Sequence, residues 1–146
     1  MKTLKQLLQA KPHGILSTAP DARVFDALKL MAENNVGALL VMDAGQLVGI
    51  VTERDYARKV ILKGKSSKQT LVSEIMSSPV IYVTPQTTVE ECMKVVTLKR
   101  IRHLPVVENS RVLGVVSIGD LVKSIISEQE ATIQQLHAYI AGNYPG

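Results

Sequence analysis

Two short segments of the sequence repeat one arrangement: a glycine, two apolar residues, a hydroxyl residue and, three positions further on, an aspartate. The segments are GIVTERD, residues 49–55, and GVVSIGD, residues 114–120. The hydroxyl–aspartate spacing is that of a capping box, in which the side chains of Thr52 and Asp55, or of Ser117 and Asp120, satisfy backbone N–H groups at the start of a helix. On this interpretation the four side chains have only a structural role.

A binding role for the same residues is compatible with the cap. The amino terminus of a helix presents free N–H groups and a partial positive charge, which suits a phosphate group. The hydroxyl of Thr52 or Ser117 adds a donor there, and the carboxylate of Asp55 or Asp120 can accept hydrogen bonds from the two vicinal hydroxyls of a ribose. The glycines at positions 49 and 114 either leave room beside such a site or serve as strand and bulge residues.

Both segments belong to an internal repeat of 65 residues, the distance from Val24 to Val89. A shift of this length needs no gap and superposes identical residues in the two halves: Pro20 and Pro85, Leu39 and Leu104, Val41 and Val106, Gly49 and Gly114, Asp55 and Asp120. Only two copies fit in the chain, which favours a pair of pseudo-symmetric units over a solenoid. We place them at residues 1–65, with the amino-terminal segment, and 66–146, with the last helix.

Each copy has the pattern of a strand, a helix, two strands and a second helix. The short runs ILSTAP and VIYVTP are followed by apolar residues at helical spacing: Val24, Ala27, Leu28 and Met31, then Val89, Cys92, Met93 and Val96. Apolar runs around residues 43–45 and 108–110 predict one hairpin in each copy. The second helices follow Thr52 and Ser117. We therefore predict an α/β (α+β) fold of two β-α-β-β-α units, with a short amino-terminal helix and a long carboxyl-terminal one.

The last helix is predicted from about Gly119 to Ala141, with Gly142 as its stop. Its apolar positions extend further than a small unit can cover: Leu121, Ile125, Ile133, Leu136 and Ile140. Such a stripe favours either a dimer contact or packing against the amino-terminal segment LKQLL.

The composition excludes several classes of protein. Hydrophobic residues make up 46% and charged residues 21% of the 146 residues, as in soluble globular chains. Aromatic residues make up only 3%, which argues against a platform that stacks single-stranded nucleic acid. No apolar run approaches the roughly 18 residues of a membrane span, and the amino terminus lacks the apolar core of a secretory signal. We expect a cytoplasmic chain without a membrane segment.

No constellation typical of catalysis occurs in the sequence. Neither a GxGxxG nor a GxxxxGK motif is present, and His13, His103 and His137 show no metal-ligand spacing. The single cysteine, Cys92, excludes an intramolecular disulfide and lies on an apolar helix stripe, where a small core residue is expected. The net charge of +4 either favours anionic partners or reflects a solvated surface. We expect no catalytic activity, no metal and no nucleic-acid partner.

Longer segments around the repeated motif resemble a tandem pair of cystathionine-β-synthase (CBS) domains over nearly the whole chain. They are VGALLVMDAGQLVGIVTERD, residues 36–55, IRHLPVVENSRVLGVVSIGD, residues 101–120, and VSEIMSSPVIYVTPQTTV, residues 72–89. The resemblance implies two motifs packed through their sheets into a Bateman module. It also implies clefts between the motifs for adenosine-containing ligands such as AMP, ADP, ATP, NAD or S-adenosylmethionine, and association into a dimer.

The resemblance also assigns roles to single residues. Asp55 and Asp120 match the ribose-binding aspartates of the family, and Thr52 and Ser117 match its phosphate-side hydroxyls. Each cleft draws on the segment before the first helix of the other copy, so that Thr84 is expected in the Asp55 cleft and Ala19 in the Asp120 cleft. Because Ala19 has no hydroxyl, we expect the Asp55 cleft to be the better polar site.

The remaining candidate residues flank these motifs. Val36, Gly37 and Ala38 are small or apolar and suit the wall of an adenine slot. Ile50 is a further candidate ligand-binding residue. Arg102 and His103 resemble family positions that reach ligand phosphates, or else form a surface basic pair. Arg54 and Arg58 flank Asp55 and either neutralise phosphate or are simply solvated.

The sequence thus predicts a regulatory sensor module that binds AMP, ATP or NAD and catalyses no reaction. The ligand would stabilise the closed arrangement of the two copies, and a separate, unknown protein would sense that arrangement. An S-adenosylmethionine-binding module and a nucleic-acid-binding accessory protein are the alternatives. A homodimer in the cytoplasm is expected.

Overall fold

The computed structural model describes residues 2–10 and 15–140, except for the side chain of Tyr139. The first half and the segment before it contain α1 Leu4–Gln9, β1 Ser17–Thr18, α2 Val24–Asn34, β2 Ala38–Asp43, β3 Gln46–Thr52, α3 Glu53–Tyr56 and a π-helical turn, Ala57–Ile61. The second half and the segment before it contain α4 Val72–Ile75, α5 Val89–Lys99, β4 His103–Glu108, β5 Arg111–Ser117 and α6 Ile118–Ile140. The predicted mixed α/β fold is confirmed.

The first strand of each half is very short. β1 pairs in parallel with β2, which places Ser17 beside Leu40 and makes a three-stranded sheet of order β1-β2-β3. In the second half the same pairing is reduced to a single parallel bridge between Val83 and Val106, beside the two-stranded sheet β4-β5. A proline follows soon after each short strand, where it removes a backbone donor and limits further pairing.

One antiparallel hairpin lies in each half, at the turns predicted from the sequence. Both central residues of each turn have positive φ: Ala44 at 50° and Gly45 at 79°, Asn109 at 52° and Ser110 at 62°. Left-handed conformations at both positions are the geometry of a type I′ turn, which matches the twist of the strands. The register shifts after Val41 and after its equivalent, Val106. The two hairpins therefore repeat one another even in their irregularity.

Each half has its own hydrophobic core, built by its first helix on its hairpin. The first core contains Val24, Ala27, Met31, Leu39, Val41, Val51, Val60, Val72 and Ile75. The second contains Leu4, Leu7, Val83, Val89, Cys92, Val96, Leu104, Val106, Val116 and Leu121. Leu28 and Met93 are partly buried against these clusters. The two apolar helix stripes therefore face the cores, as their spacing predicted.

A short helix from the neighbouring part of the sequence closes each core. Val72 and Ile75 of α4 lie in the first core, whereas Leu4 and Leu7 of α1 lie in the second. Equivalent backbone hydrogen bonds of 2.9 Å accompany the two helices: Val24 N–H to Thr70 O and Val89 N–H to Lys2 O. The packing thus crosses the predicted boundary between residues 65 and 66 in both directions. The division into 1–65 and 66–146 stays a prediction about the sequence repeat.

The two repeated glycines lie where these short helices and the residues after them approach the hairpins. A Cβ atom on Gly49 would lie 2.6 Å from Met76 Sδ and 3.1 Å from Ser77 O. A Cβ atom on Gly114 would lie 2.8 Å from Leu8 Cδ2. Of the two roles considered for these glycines, the structure supports close packing at a strand.

The last helix, α6, runs from Ile118 to Ile140, and the predicted stop at Ala141–Gly142 lies outside the described residues. Leu121 is in the second core with α1, and Ile125 packs against it. Further along, the side chains of α6 are exposed. The near end of the stripe thus packs with the amino-terminal segment, as one of the two expectations had it. The dimer contact stays a prediction for the far end. Among the described helices, none is long and apolar enough to cross a bilayer.

Candidate ligand-binding site

A cavity of about 550 Å³ lies where β3 passes into α3, and residues from both halves line it. We call it the Asp55 cavity. The first half contributes Gly37, Ile50, Thr52, Glu53, Arg54, Asp55 and Arg58; the second contributes Arg100, Ile101, Arg102 and His103; the segment between them contributes Ser77, Pro79, Val80 and Ile81. The volume is within the range of small-molecule sites. Most of the candidate residues around Asp55 therefore come together here.

The capping box at the start of α3 holds Asp55 in place. Thr52 Oγ1 accepts a hydrogen bond from Asp55 N–H over 3.1 Å, and Asp55 Oδ2 accepts from Thr52 N–H over 3.0 Å. The Thr52 hydroxyl also donates to Asp55 Oδ2 over 3.1 Å. Because the Thr52 hydroxyl donates its proton to Asp55, this hydrogen bond helps to orient the Asp55 carboxylate. The structural role proposed for the motif is confirmed by these bonds.

Lys59 engages the other oxygen of the same carboxylate. Its Nζ lies 3.2 Å from Asp55 Oδ1 and donates to Ile75 O over 2.9 Å. The Asp55 side chain is only 13% exposed, whereas that of Lys59 is 44% exposed. An ionised carboxylate has about four acceptor positions, and Thr52 and Lys59 together use three. Acceptor capacity for one more donor therefore remains on Oδ1.

The position of Lys59 depends on the π-helical turn, Ala57–Ile61, that continues α3. In this turn Leu62 N–H donates to Ala57 O over 3.1 Å, five residues back. Single π-helical turns within helices occur mostly at functional sites. The turn buries Val60 in the first core and leaves Lys59 pointing toward Asp55 and the end of α4.

The charge of the Asp55 cavity is predominantly positive. Four guanidinium groups line it, together with His103, against the two carboxylates of Glu53 and Asp55. The guanidinium groups belong to Arg54, Arg58, Arg100 and Arg102, and within residues 2–10 and 15–140 none of them forms an ion pair. A concave site with this balance attracts anions. The cavity therefore suits a ligand that carries phosphate or another negative group.

Thr84 lies in a different cavity from the one that the sequence assigned to it. A groove of about 840 Å³ between the ends of the two hairpins is lined by Thr84, together with residues such as Leu47, Tyr82 and Asn109. We call it the hairpin-end cavity. The parallel bridge from Val83 to Val106 directs the following residues toward the hairpin turn and away from Asp55. Val80 and Ile81, which precede the bridge, line the Asp55 cavity instead.

The other candidates stand outside both of these cavities: Val36, Ala38, Ala19, Ser117 and Asp120. Ser117 and Asp120 form the second cap, in which Asp120 Oδ2 accepts from Ser117 N–H over 2.8 Å and Ser117 Oγ accepts from Asp120 N–H over 3.1 Å. Val36 and Ala38 flank Gly37 in sequence, but only Gly37 lines the Asp55 cavity.

Some lining residues were not candidates from the sequence. Arg100 precedes β4 in the loop that contains Arg102, and the segment Ser77–Ile81 approaches because Ser77 and Ile50 exchange backbone hydrogen bonds of 2.9 and 3.2 Å. A repeat comparison shows which residues are equivalent, but it does not show which loops of the two halves meet. Lys59 had a signal in its sequence: it lies four residues after Asp55, the spacing of a helical ion pair.

The pKa values of Cys92 and Glu91 are shifted. Burial raises the pKa of the Cys92 thiol to about 11, so that the thiol stays protonated at neutral pH. Hydrogen bonds from Thr88 lower the pKa of Glu91 at the start of α5. In the part of the chain that the structure describes, no cluster of side chains has the composition of a metal site.

Comparisons with known proteins agree with this architecture. A family model described as CBS domain matches residues 12–62 and 72–127. CBS domain-containing protein CBSX3, mitochondrial, from Arabidopsis thaliana is 47% identical over 129 residues; the match covers 85% of this chain and 63% of that protein. The chain thus spans less than two thirds of the length of this relative.

Solved structures show the same fold. A protein with CBS domains from Burkholderia ambifaria MC40-6 superposes with a TM-score of 0.85 and is 51% identical, over 88% of this chain and 96% of that one. The CBS domain pair of protein MJ0100, in complex with 5′-methylthioadenosine and S-adenosyl-L-methionine, superposes with a TM-score of 0.78 at 24% identity, over 88% and 98% of the two chains.

Proposed function

The chain belongs to the CBS-domain family, and on this premise we propose that it is a regulatory module that binds a phosphorylated adenosine ligand in the Asp55 cavity. CBS domain pairs are regulatory ligand-binding modules. The module would act on a separate protein and catalyse no reaction itself. The observation that carries the proposal is the composition of the Asp55 cavity, in which a capped carboxylate from one half faces arginines from the other.

Asp55 is the proposed ribose-binding group. Thr52 and Lys59 orient its carboxylate, and Oδ1 has capacity left for a sugar hydroxyl. The low exposure of Asp55 excludes most of the water that would compete for this hydrogen bond. Gly37 and Ile50 line the same cavity and provide a small, apolar wall for the adenine base.

The arginines are the proposed phosphate-binding groups. Guanidinium groups form charge-assisted, often bidentate hydrogen bonds with phosphate, and Arg100 and Arg102 belong to the half opposite Asp55. A ligand that joins the ribose side to the phosphate side would therefore hold the two halves together. Any partner that senses their arrangement would respond to the ligand, since binding shifts the protein toward the arrangement that binds best.

The charge of the cavity also supports a ranking of ligands. AMP, ATP and NAD are anions, whereas the sulfonium group of S-adenosylmethionine is a cation that four guanidinium groups would repel. The fold relative MJ0100 was solved with S-adenosyl-L-methionine, so this ligand is the alternative. We propose AMP, ATP or NAD as the ligand class.

A ligand screen tests both levels of the proposal. The melting temperature of the chain is measured with adenosine, AMP, ATP, NAD and S-adenosylmethionine; we expect increases with the phosphorylated ligands, because a ligand that binds the folded state stabilises it. A larger increase with S-adenosylmethionine than with any nucleotide would contradict the charge argument. No increase with any of the five would contradict the adenosine-binding function.

The contribution of the second half is tested by one arginine. We expect Arg102→Gln to weaken ATP binding about tenfold, since a charge-assisted contact contributes roughly 1.5 kcal/mol. Arg111→Gln is the control, because Arg111 carries the same charge on β5 and lines neither cavity. Equal affinities of the two variants would show that the ligand does not bridge the halves.

Two further parts of the proposal concern the oligomeric state and the cellular compartment. We propose that the chain acts as a homodimer, since α6 leaves apolar side chains exposed. We also propose the cytoplasm as its compartment, although the name of the Arabidopsis relative places that protein in mitochondria.

A further inference from the structure

The far part of α6 extends beyond the body of the protein. Ile125 is the last residue of the helix that packs against the second core. Over residues 126–140 every described side chain is exposed, with Ile133 at 52%, Leu136 at 57% and Ile140 at 82%. At 1.5 Å per residue, this part of the helix is about 22 Å long.

The exposed apolar residues of α6 follow a heptad pattern. Five of them, together with the polar Gln129, lie on one line with alternating spacings of four and three residues. We call this line the α6 seam: Val122, Ile126, Gln129, Ile133, Leu136 and Ile140. An alternation of four and three is the period of 3.5 residues that keeps a helix face turned toward a second helix. A helix that packs on a globular core has instead the broader stripe of a 3.6-residue period.

A helix of this kind requires a partner. Isolated helices of roughly 15 residues are marginal in water, because tertiary contacts supply most helical stability. The amino-terminal helix of the same chain does not serve, since Leu4 and Leu7 are already buried in the second core. A helix whose apolar residues have the same spacing fits this face, and a second copy of α6 is such a helix.

We propose that α6 pairs with α6 of a second copy of the chain as a parallel two-stranded coiled coil through the α6 seam. Isoleucine occupies positions 126, 133 and 140, and leucine occupies 136. Ile at the a positions with Leu at a d position is the arrangement that favours parallel dimers.

Gln129 decides the orientation. It is the one polar residue of the α6 seam, and its amide must find a hydrogen-bond partner once it is buried. In a parallel pair Gln129 faces its own copy, and the two amides can hydrogen-bond to each other. In an antiparallel pair centred on the α6 seam, Gln129 would face Ile133 and lose its hydrogen bonds.

The α6 seam is separate from the ligand site, because no residue of the α6 seam lines the Asp55 cavity. A dimer of this kind would place two sensor bodies at the same end of the coiled coil. The partner protein would then meet two ligand-binding modules as one unit.

A disulfide experiment on the full chain tests the pairing and its direction. In Gln129→Cys the two introduced thiols lie opposite each other only in the parallel pair, and we expect a covalent dimer on a non-reducing gel after mild oxidation. Cys92 does not interfere, because it is buried and its raised pKa keeps it protonated. Ala131→Cys is the control, since position 131 is on the opposite face of α6. The proposal is overturned if Gln129→Cys stays monomeric, or if the control forms the covalent dimer equally well.

A charge in the seam tests the energetic role. We expect Ile133→Glu to raise the dissociation constant of the dimer by roughly a hundredfold and to lower the helical circular dichroism at low concentration, because the freed helix frays. Gln134→Glu adds the same charge outside the α6 seam and should leave the dissociation constant and the helical circular dichroism unchanged. Sedimentation equilibrium gives the dissociation constants. A wild-type chain that stays monomeric, as expected if another protein covers the seam, or a dimer unaffected by Ile133→Glu, overturns the proposal.

Discussion

At the start of α3, Asp55 Oδ2 accepts from Thr52 N–H over 3.0 Å; at the start of α6, Asp120 Oδ2 accepts from Ser117 N–H over 2.8 Å. The caps repeat each other, but the next turn of each helix does not. Lys59 reaches back to Asp55, whereas the equivalent position in the second half is Ser124, which is buried. Two copies of one motif can therefore keep the same backbone while they offer different chemistry around it.

The cause of the difference is the form of the second helix in each half. In the first half the π-helical turn brings Val60 into the core and leaves Lys59 outside it. In α6, which is a regular helix, Leu121 and Ser124 are both buried. A lysine is almost never fully buried without a partner, so the buried position 124 does not suit a lysine. The register of the helix thus determines which side chain stands beside the aspartate.

The loops that precede the two hairpins differ in charge as well. Arg100 and Arg102 line the Asp55 cavity, and one repeat earlier in the sequence the equivalent residues are Asn35 and Gly37. Neither of these carries a charge. The repeat thus preserves the capped aspartate in both halves, while a few substitutions make the first copy the stronger candidate for binding an anion.

The largest effect is expected from removing the two aspartates in turn. We expect Asp55→Ala to weaken ATP binding by roughly a hundredfold, because it removes a charged acceptor worth about 1.5–3 kcal/mol and the cap that holds the site. Asp120→Ala loses the same type of cap and should change the affinity of the Asp55 cavity by less than about threefold. Isothermal titration calorimetry measures both. Similar losses in the two variants would remove the distinction between the halves.

Cys92 and Ala27 occupy the same core position in the two halves. The pKa of Cys92 is raised to about 11, so the thiolate that reacts with alkylating reagents is scarce at neutral pH. We expect alkylation of the folded chain to be at least about a hundredfold slower than that of the unfolded chain. Because the pKa is higher in the folded state, the protonated thiol favours folding, and this contribution is lost as the pH rises from about 9 toward 11. Timed alkylation read by mass spectrometry tests the rates, and fast reaction of the native chain would contradict the burial.

The paired glycines should differ in their tolerance of a methyl group. In Gly49→Ala the new Cβ would press on Ser77 O, a backbone atom, as well as on Met76 Sδ; in Gly114→Ala it would meet only the flexible end of Leu8. We expect Gly49→Ala to lower the free energy of unfolding by about 1–3 kcal/mol and Gly114→Ala by about 1 kcal/mol or less. Urea unfolding gives both values. The reverse order would show that the segment after α4 moves more easily than α1.

Lys59 should contribute modestly to stability. Lys59→Met removes the ion pair with Asp55 and the hydrogen bond to Ile75 O; because the side chain is nearly half exposed, we expect a loss of no more than about 1 kcal/mol. Lys63→Met is the control, since Lys63 lies in the loop after the π-helical turn. Lys59→Arg should recover part of the loss. A stability equal to that of the control would mean that the ion pair is not formed in solution.

The smallest effect is expected at Ser124. Its hydroxyl is buried and, within the described residues, has no hydrogen-bond partner, so Ser124→Ala should leave stability unchanged or raise it by a few tenths of a kcal/mol. Thermal unfolding at one scan rate compares it with the wild type. A clear loss of stability would indicate that the Ser124 hydroxyl has a hydrogen-bond partner, such as a bound water.

Local patterns predicted much of the fold. The spacing of Val24, Ala27 and Met31 predicted a buried helix face, and the turn residues after Asp43 and Glu108 predicted both hairpins, because these signals depend on neighbours in the sequence. The capping boxes were predictable for the same reason. The second helix of the first half was predicted as a helix, but its π-helical turn has no comparable sequence signal.

The candidate site was predictable only in part. Thr52 and Asp55 were found from their spacing, and Arg102 and His103 from their resemblance to phosphate-binding positions of the family. Thr84 was expected beside Asp55, whereas the structure places it in the hairpin-end cavity, because the bridge from Val83 to Val106 sends the chain past the site. Val80 and Ile81 line the site instead, and nothing in their own sequence marks them for it.

By itself, the sequence determined the two repeated units, their cores and the two capped aspartates, since spacing and composition control structure over a few turns of chain. Only the tertiary structure decided that α1 closes the second core, that Arg100 lines the same cavity as Asp55, and that Lys59 pairs with one oxygen of the Asp55 carboxylate. These contacts join residues far apart in the chain, and they depend on how whole elements pack. A packing direction is a property of many side chains together, which no single motif contains.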